Sequence, residues 1–146
     1  MGLDNLVGKT LEQIEPNKNS IGKLLDAAKR NLADTKIKQL SAENRFDAAY
    51  KAIMQLANAA LQANGYRTLT SKPGHHMTMI QTLNQTCGLD KDIIIVLDQL
   101  RKQRNDADYS GNMIPEAAVK ECIKLAEQLF NHVIKWLSDK KPDLLT

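Results

Sequence analysis

The chain has 146 residues, of which 42% are hydrophobic and only 4% aromatic, and its net charge at pH 7 is +3. That length buries a continuous core in one domain without metal or disulfide staples, and a composition dominated by Ala, Leu, Ile, Lys, Gln and Asn favours packed helices over a sandwich or barrel. So slight a charge excess cannot hold nucleic acid by charge alone, so any such contact must be local.

In chain order, Met-Gly-Leu-Asp-Asn-Leu carries an acid where a signal peptide needs a base, and Leu6 stands where a myristoylation signal needs Ser or Thr. Residues 3–15 place Leu3, Leu6, Val7, Leu11 and Ile14 at roughly helical intervals, with Thr10 and Gln13 in capping-box spacing. This predicts an amphipathic arm over residues 1–16, packed back on the main body and ended by Pro16. Ser20 can cap a helix to Lys36 that carries Ile21, Leu24, Leu25, Ala28 and Leu32 on one face. Ser41 caps the next, in which Phe46, Ala49, Tyr50, Ile53, Leu56, Ala57, Ala60 and Leu61 recur by turns. No charged residue lies between Lys51 and Arg67, so this helix is expected at the centre, closed by Asn64-Gly65, with Tyr50 and Met54 as core residues.

A loop from Tyr66 to Gly74 leads to a short helix with Met77, Ile80 and Leu83 on its apolar face, ending at Cys87-Gly88. His75 and His76 open that helix. Neighbouring helical residues point about 100° apart, so the two imidazoles do not converge on one metal, and no further ligand has zinc spacing. One imidazole is expected to fix the loop and the other to face solvent; no metal site and no cofactor are expected. Cys87 and Cys122 lack Cys-x-x-Cys spacing, read as core residues and suit a reducing compartment.

Asp90 can cap a helix through Ile93-Ile94-Ile95-Val96-Leu97, a run that would pass for a strand in isolation. Its pattern continues at helical spacing through Leu100 into Arg-Lys-Gln-Arg-Asn-Asp-Ala-Asp-Tyr-Ser-Gly, residues 101–111. There Arg101, Arg104 and Asp108 share a face, with Asn105 one turn from Arg101. One reading is a solvated Arg104–Asp108 ion pair worth about 0.3–0.5 kcal/mol; the other is a binding site. Pro115 is expected in the first turn of a last helix carrying Val119, Cys122, Ala126, Leu129, Val133 and Trp136, and residues 140–146 read as a frayed tail. The whole predicts an all-α, up-and-down bundle of four to five antiparallel helices over residues 17–139. No segment has the length of a membrane span, so a cytoplasmic protein with no membrane partner is expected. No glycine-rich phosphate loop or defensible Ser-His-Asp order is present.

The order of three pieces resembles the HEPN superfamily of small helical bundles. They are Arg45-Phe46-Asp47-Ala48-Ala49-Tyr50 on a long helix, Gly74-His75-His76 opening the next, and Arg104-Asn105-Asp106-Ala107-Asp108-Tyr109 at the end of the penultimate one. The similarity runs over most of residues 20–138. It implies RNA or nucleotide chemistry, a homodimer, and a place in a toxin–antitoxin or defence system with a nucleotidyltransferase-like antitoxin. Many members are metal-independent ribonucleases whose motif is an Arg, a polar residue often Asn, a short spacer and a His. Arg104 and Asn105 match that motif, but no His follows before His132. The resemblance therefore leaves three expectations. The preferred one is a binding or regulatory module in which Arg101, Lys102, Asp108 and His76 join Arg104 and Asn105 at a phosphate or partner. The second is an endoribonuclease with Arg104 stabilising the phosphate transition state, while Asn105, Tyr109 and His76 orient or protonate the substrate. The third is a structural adaptor with an ion-paired helix end.

Overall fold

The computed structural model describes residues 2–71 and 73–145; Met1, Lys72 and Thr146, which fall in the expected arm, loop and tail, lie outside the described residues. Among the described residues it is an all-α bundle, as expected, with six α-helices where four to five were expected and one small two-stranded ribbon added. The helices are α1 (Lys18–Asp34), α2 (Ala42–Ala63), α3 (His75–Gln81), α4 (Leu83–Cys87), α5 (Lys91–Ser110) and α6 (Glu116–Lys140).

The central element is α2. Ser41 accepts the Asn44 N–H at 3.1 Å and so begins the helix, while Asn64 and the left-handed Gly65 end it, as the sequence predicts. Thirteen of its 22 residues are buried, among them Ala49, Ala52, Ala57 and Ala60, whose short side chains let α1 and α6 pack closely against it. From α1 come Ile21, Leu25 and Ala28, and from α6 Val119, Cys122, Ala126, Leu129, Val133 and Leu137. The start of α1 lies two residues earlier than expected. Asn17 takes the capping role, its Oδ1 accepting the Ser20 N–H at 2.9 Å, and Ser20 falls inside the first turn.

The arm is not a helix. After a 3₁₀ turn over Asp4–Leu6, the chain turns at Gly8 and forms β1 (Leu11–Gln13), which pairs antiparallel with β2 (Tyr66–Thr68) in the segment read as loop. An isolated helix of this length is marginal in water, whereas the strand gains backbone partners where α2 ends. Leu11 is fully buried, and the outer face carries a Glu12–Arg67 ion pair at 2.8 Å. The Gly65 carbonyl accepts the Ile14 N–H at 2.8 Å, extending the ribbon to the end of α2. With φ at +89°, a Cβ on Gly65 would lie 3.3 Å from the Ile14 carbonyl oxygen. Gly65→Ala is therefore expected to destabilise the chain by about 1–2 kcal/mol, read as a lowered urea midpoint at unchanged m-value.

The helix expected after Gly74 is two helices. Thr82 breaks it, its hydroxyl donating back to the Thr78 carbonyl at 2.8 Å. The inward face of α3 carries Thr78, Met79 and Ile80, so Met77, expected inside, is exposed. Gly88 ends α4, and His132 of α6 donates through Nε2 to the Cys87 carbonyl at 2.7 Å. The β-branched run is helical, as expected: Asp90 accepts the Asp92 N–H, and Ile94, Leu97 and Leu100 turn inward against α3, α4 and α6. Pro115 is the cap residue of α6 and precedes its first turn. Leu137 takes the inner position near the end of α6, leaving Trp136 half-buried. Nor does the tail fray, because a 3₁₀ turn over Pro142–Leu144 packs on α1 and α6 and sets Leu144 and Leu145 against the core. Among the described residues, no helix is long and apolar enough to cross a membrane.

Candidate functional site

Three helices meet at the polar end of α5. Asp47 and Tyr50 lie one turn apart on α2, His75 and His76 begin α3, and Asp98, Arg101, Arg104 and Asn105 follow one another along α5. The burial of α2 carries Tyr50 inward to 2% exposure, with its hydroxyl 3.3 Å from His76 Nδ1. Arg104 lies over the Tyr50 ring, its guanidinium carbon 4.9 Å from the ring centroid. This is a cation–π contact of a kind worth about 0.5–2 kcal/mol. The same guanidinium reaches Asp47 through Nε at 3.4 Å and Asp108 through Nη1 at 3.6 Å. The Arg104–Asp108 ion pair expected from spacing is therefore present, as the weaker part of a three-way arrangement.

Arg101 donates through Nε to Asp98 at 2.9 Å, with side-chain exposures of 14% and 16%. Its two terminal amino groups make no hydrogen bond among the described residues. Arg101, Asn105, His75, His76, Gly74 and Met77 line an open hollow of about 200 Å³. A larger groove of about 580 Å³ runs between α1 and α6 past Lys18, Lys23, Lys29 and Phe130. The smaller hollow is the better candidate, since a cation, an amide and two imidazoles converge on it.

Burial pushes the Tyr50 hydroxyl up to about 12, against the opposing pull of Arg104 and Arg101, so it stays protonated. Burial also lowers His76 from its ordinary value, and neighbouring His75, Arg104 and Arg101 lower it further. The same surroundings favour the uncharged ring. The Cys122 thiol, raised to about 12 chiefly by burial, is no nucleophile.

Of the residues singled out from sequence, the fold brings Arg101, Asn105 and His76 to one hollow and sets Arg104 beside it on Tyr50. Lys102 turns to Asp98 at 3.6 Å, and Asp108 is occupied by Arg104. Tyr109 is 93% exposed near the end of α5 and is not among the residues lining the hollow. Tyr50, Asp47 and Asp98 were not identified as parts of the site. Asp98 had a local signal, three residues before Arg101 on one helical face. The polar tip of a tyrosine placed in the core was the signal for Tyr50. Among the described residues, no group of three or more His, Cys, Asp or Glu could hold a metal ion. No protein-family model, curated protein or solved structure matches the chain.

Proposed function

We propose that this chain is a HEPN-like RNA- or nucleotide-binding module, with a regulatory role in a toxin–antitoxin or defence system, acting as a homodimer beside a nucleotidyltransferase-like partner. The supporting observation is the convergence of Arg101, Asn105 and His76 on one hollow, with free terminal amino groups on Arg101. A phosphate oxygen accepts hydrogen bonds and carries negative charge, which is what these groups recognise. Carboxylates at Asp47, Asp98 and Asp108 offset much of the positive charge around it. Affinity then depends on directed hydrogen bonds more than on net field.

A second reading, a metal-independent endoribonuclease, is favoured by the position of His76. The motif lacks its histidine on α5, and the fold supplies an uncharged imidazole from α3 at the same hollow as Arg101.

The test is fluorescence anisotropy of a labelled single-stranded RNA pool at two salt concentrations, with parallel incubation in EDTA resolved on a gel. Binding should weaken with salt by a log–log slope of about −0.7 per phosphate contacted. Arg101→Ala should weaken it about 10–100-fold with the circular dichroism spectrum unchanged. Cleavage in EDTA that Arg104→Ala abolishes would select the nuclease. Binding indifferent to both substitutions would reduce the cluster to an ion-paired helix end.

A further inference from the structure

We infer that Tyr50 is a positioning residue that sets the tautomer of His76: its hydroxyl donates to Nδ1, the ring proton sits on Nε2, and the imidazole offers the hollow an N–H donor. The inference deepens the phosphate-binding reading and rests on it for the ligand, although the tautomer itself can be observed without any ligand.

The argument begins with a proton that needs an acceptor. A hydroxyl on a side chain 2% exposed must find its partner inside the protein, and the one recorded for Tyr50 is His76 Nδ1. The reverse polarity, Nδ1–H donating to the phenol oxygen, would leave the phenol proton without an acceptor. The neighbouring guanidinium of Arg104 has donors alone, and among the described residues no carboxylate or carbonyl oxygen is within hydrogen-bond distance of the Tyr50 hydroxyl. An uncharged imidazole carries one N–H, so an Nδ1 that accepts places the proton on Nε2. Among the described residues Nε2 has no hydrogen-bond partner, which leaves it free for a ligand.

Two consequences follow for the hollow. Its polar side chains include the Arg101 amino groups, the Asn105 amide N–H and, on this tautomer, the His76 Nε2–H, three donors suited to phosphate oxygen. A His76 protonated at Nε2 also lacks the lone pair needed there to take a proton from a ribose hydroxyl. His76 is thus arranged to hold a phosphate oxygen and not to act as the base, a role that in the nuclease reading would fall to His75, which lines the same hollow.

The experiment is long-range ¹⁵N–¹H correlation of the histidine side chains in the uniformly labelled full chain at pH 7.5, with His76 assigned from the spectrum of His76→Gln. The expected result is a pyridine-type signal for Nδ1 and a pyrrole-type signal for Nε2, drifting toward a tautomer mixture in Tyr50→Phe, which preserves the ring. A protonated Nδ1, or a His76 pattern unchanged in a folded Tyr50→Phe, overturns the inference; should that variant not fold, the wild-type spectrum decides alone. Adding inorganic phosphate and then a short single-stranded RNA tests the ligand separately. A shift at Nε2 that weakens about 2–10-fold in Tyr50→Phe supports both steps. The expected tautomer with no response to either ligand overturns the phosphate assignment while the tautomer stands.

Discussion

Replacing Phe46 with alanine is expected to lower the unfolding free energy by about 3–5 kcal/mol, a large part of the roughly 5–15 kcal/mol that a domain of this kind possesses. Phe46 is fully buried in the second turn of α2, and its carbonyl lies 3.9 Å from the Cys122 sulfur of α6. The close contact of α2 with α6 limits collapse around the deleted ring, so a cavity term adds to the lost burial. The damage should extend beyond stability. Asp47 follows directly and Tyr50 lies one turn on, so a loosened α2 shifts the carboxylate and the ring that hold Arg104. Urea unfolding followed by circular dichroism measures the first effect, and the His76 side-chain signals report the second.

Asp98→Ala should separate stability from binding. Removing one member of a well-buried ion pair typically costs 3–5 kcal/mol, because the remaining charge is stranded. Here both side chains retain some exposure, which reduces the expected cost to about 1–2 kcal/mol. The same change releases all of the Arg101 fork and the Lys102 ammonium from a carboxylate. RNA affinity at low salt should therefore rise, by roughly 3–10-fold, and the gain should shrink as salt is added. Thermal unfolding and anisotropy on one preparation read both signs. A fall in affinity together with stability would make Arg101 a structural residue.

Local signals made most of the bundle legible. Ser41 with Asn64-Gly65, Asp90 at the start of α5, and the inward rows of α2 and α6 each depend on neighbours within a few residues. The β-branched run resolved as helix because its period continues into Leu97 and Leu100. The arm was misread because its structure depends on a partner distant in sequence: Leu11 pairs with Thr68, and spacing within residues 3–15 carries no trace of that. Met77 and Trp136 were misplaced by less, since a helix face shifted by one residue exchanges an inward position for an outward one. In the site, the shared face of Arg101, Arg104 and Asp108 was legible as intrahelical geometry. The contacts of Arg104 with Asp47 and Tyr50, and of Tyr50 with His76, join three helices and so had no local spacing to reveal them.

The hollow also lies on a mechanical seam. While α2 buries thirteen of 22 residues, α5 buries only Ile94, Leu97 and Leu100 of its twenty, a smaller share than α1, α2 or α6, so little apolar surface holds it in place. The two sides of the site belong to different partners across that seam: His76 stays with α3 and Tyr50, and Arg101 and Asn105 travel with α5. Undocking α5 would dissolve the site while leaving the packing of α1, α2 and α6 largely in place. A ligand gripped by His76 and Arg101 together binds only the docked form, and it adds RT ln(1 + [L]/Kd) to the free energy of docking. Occupancy would then be visible far from the hollow, as slowed amide hydrogen exchange along the whole of α5.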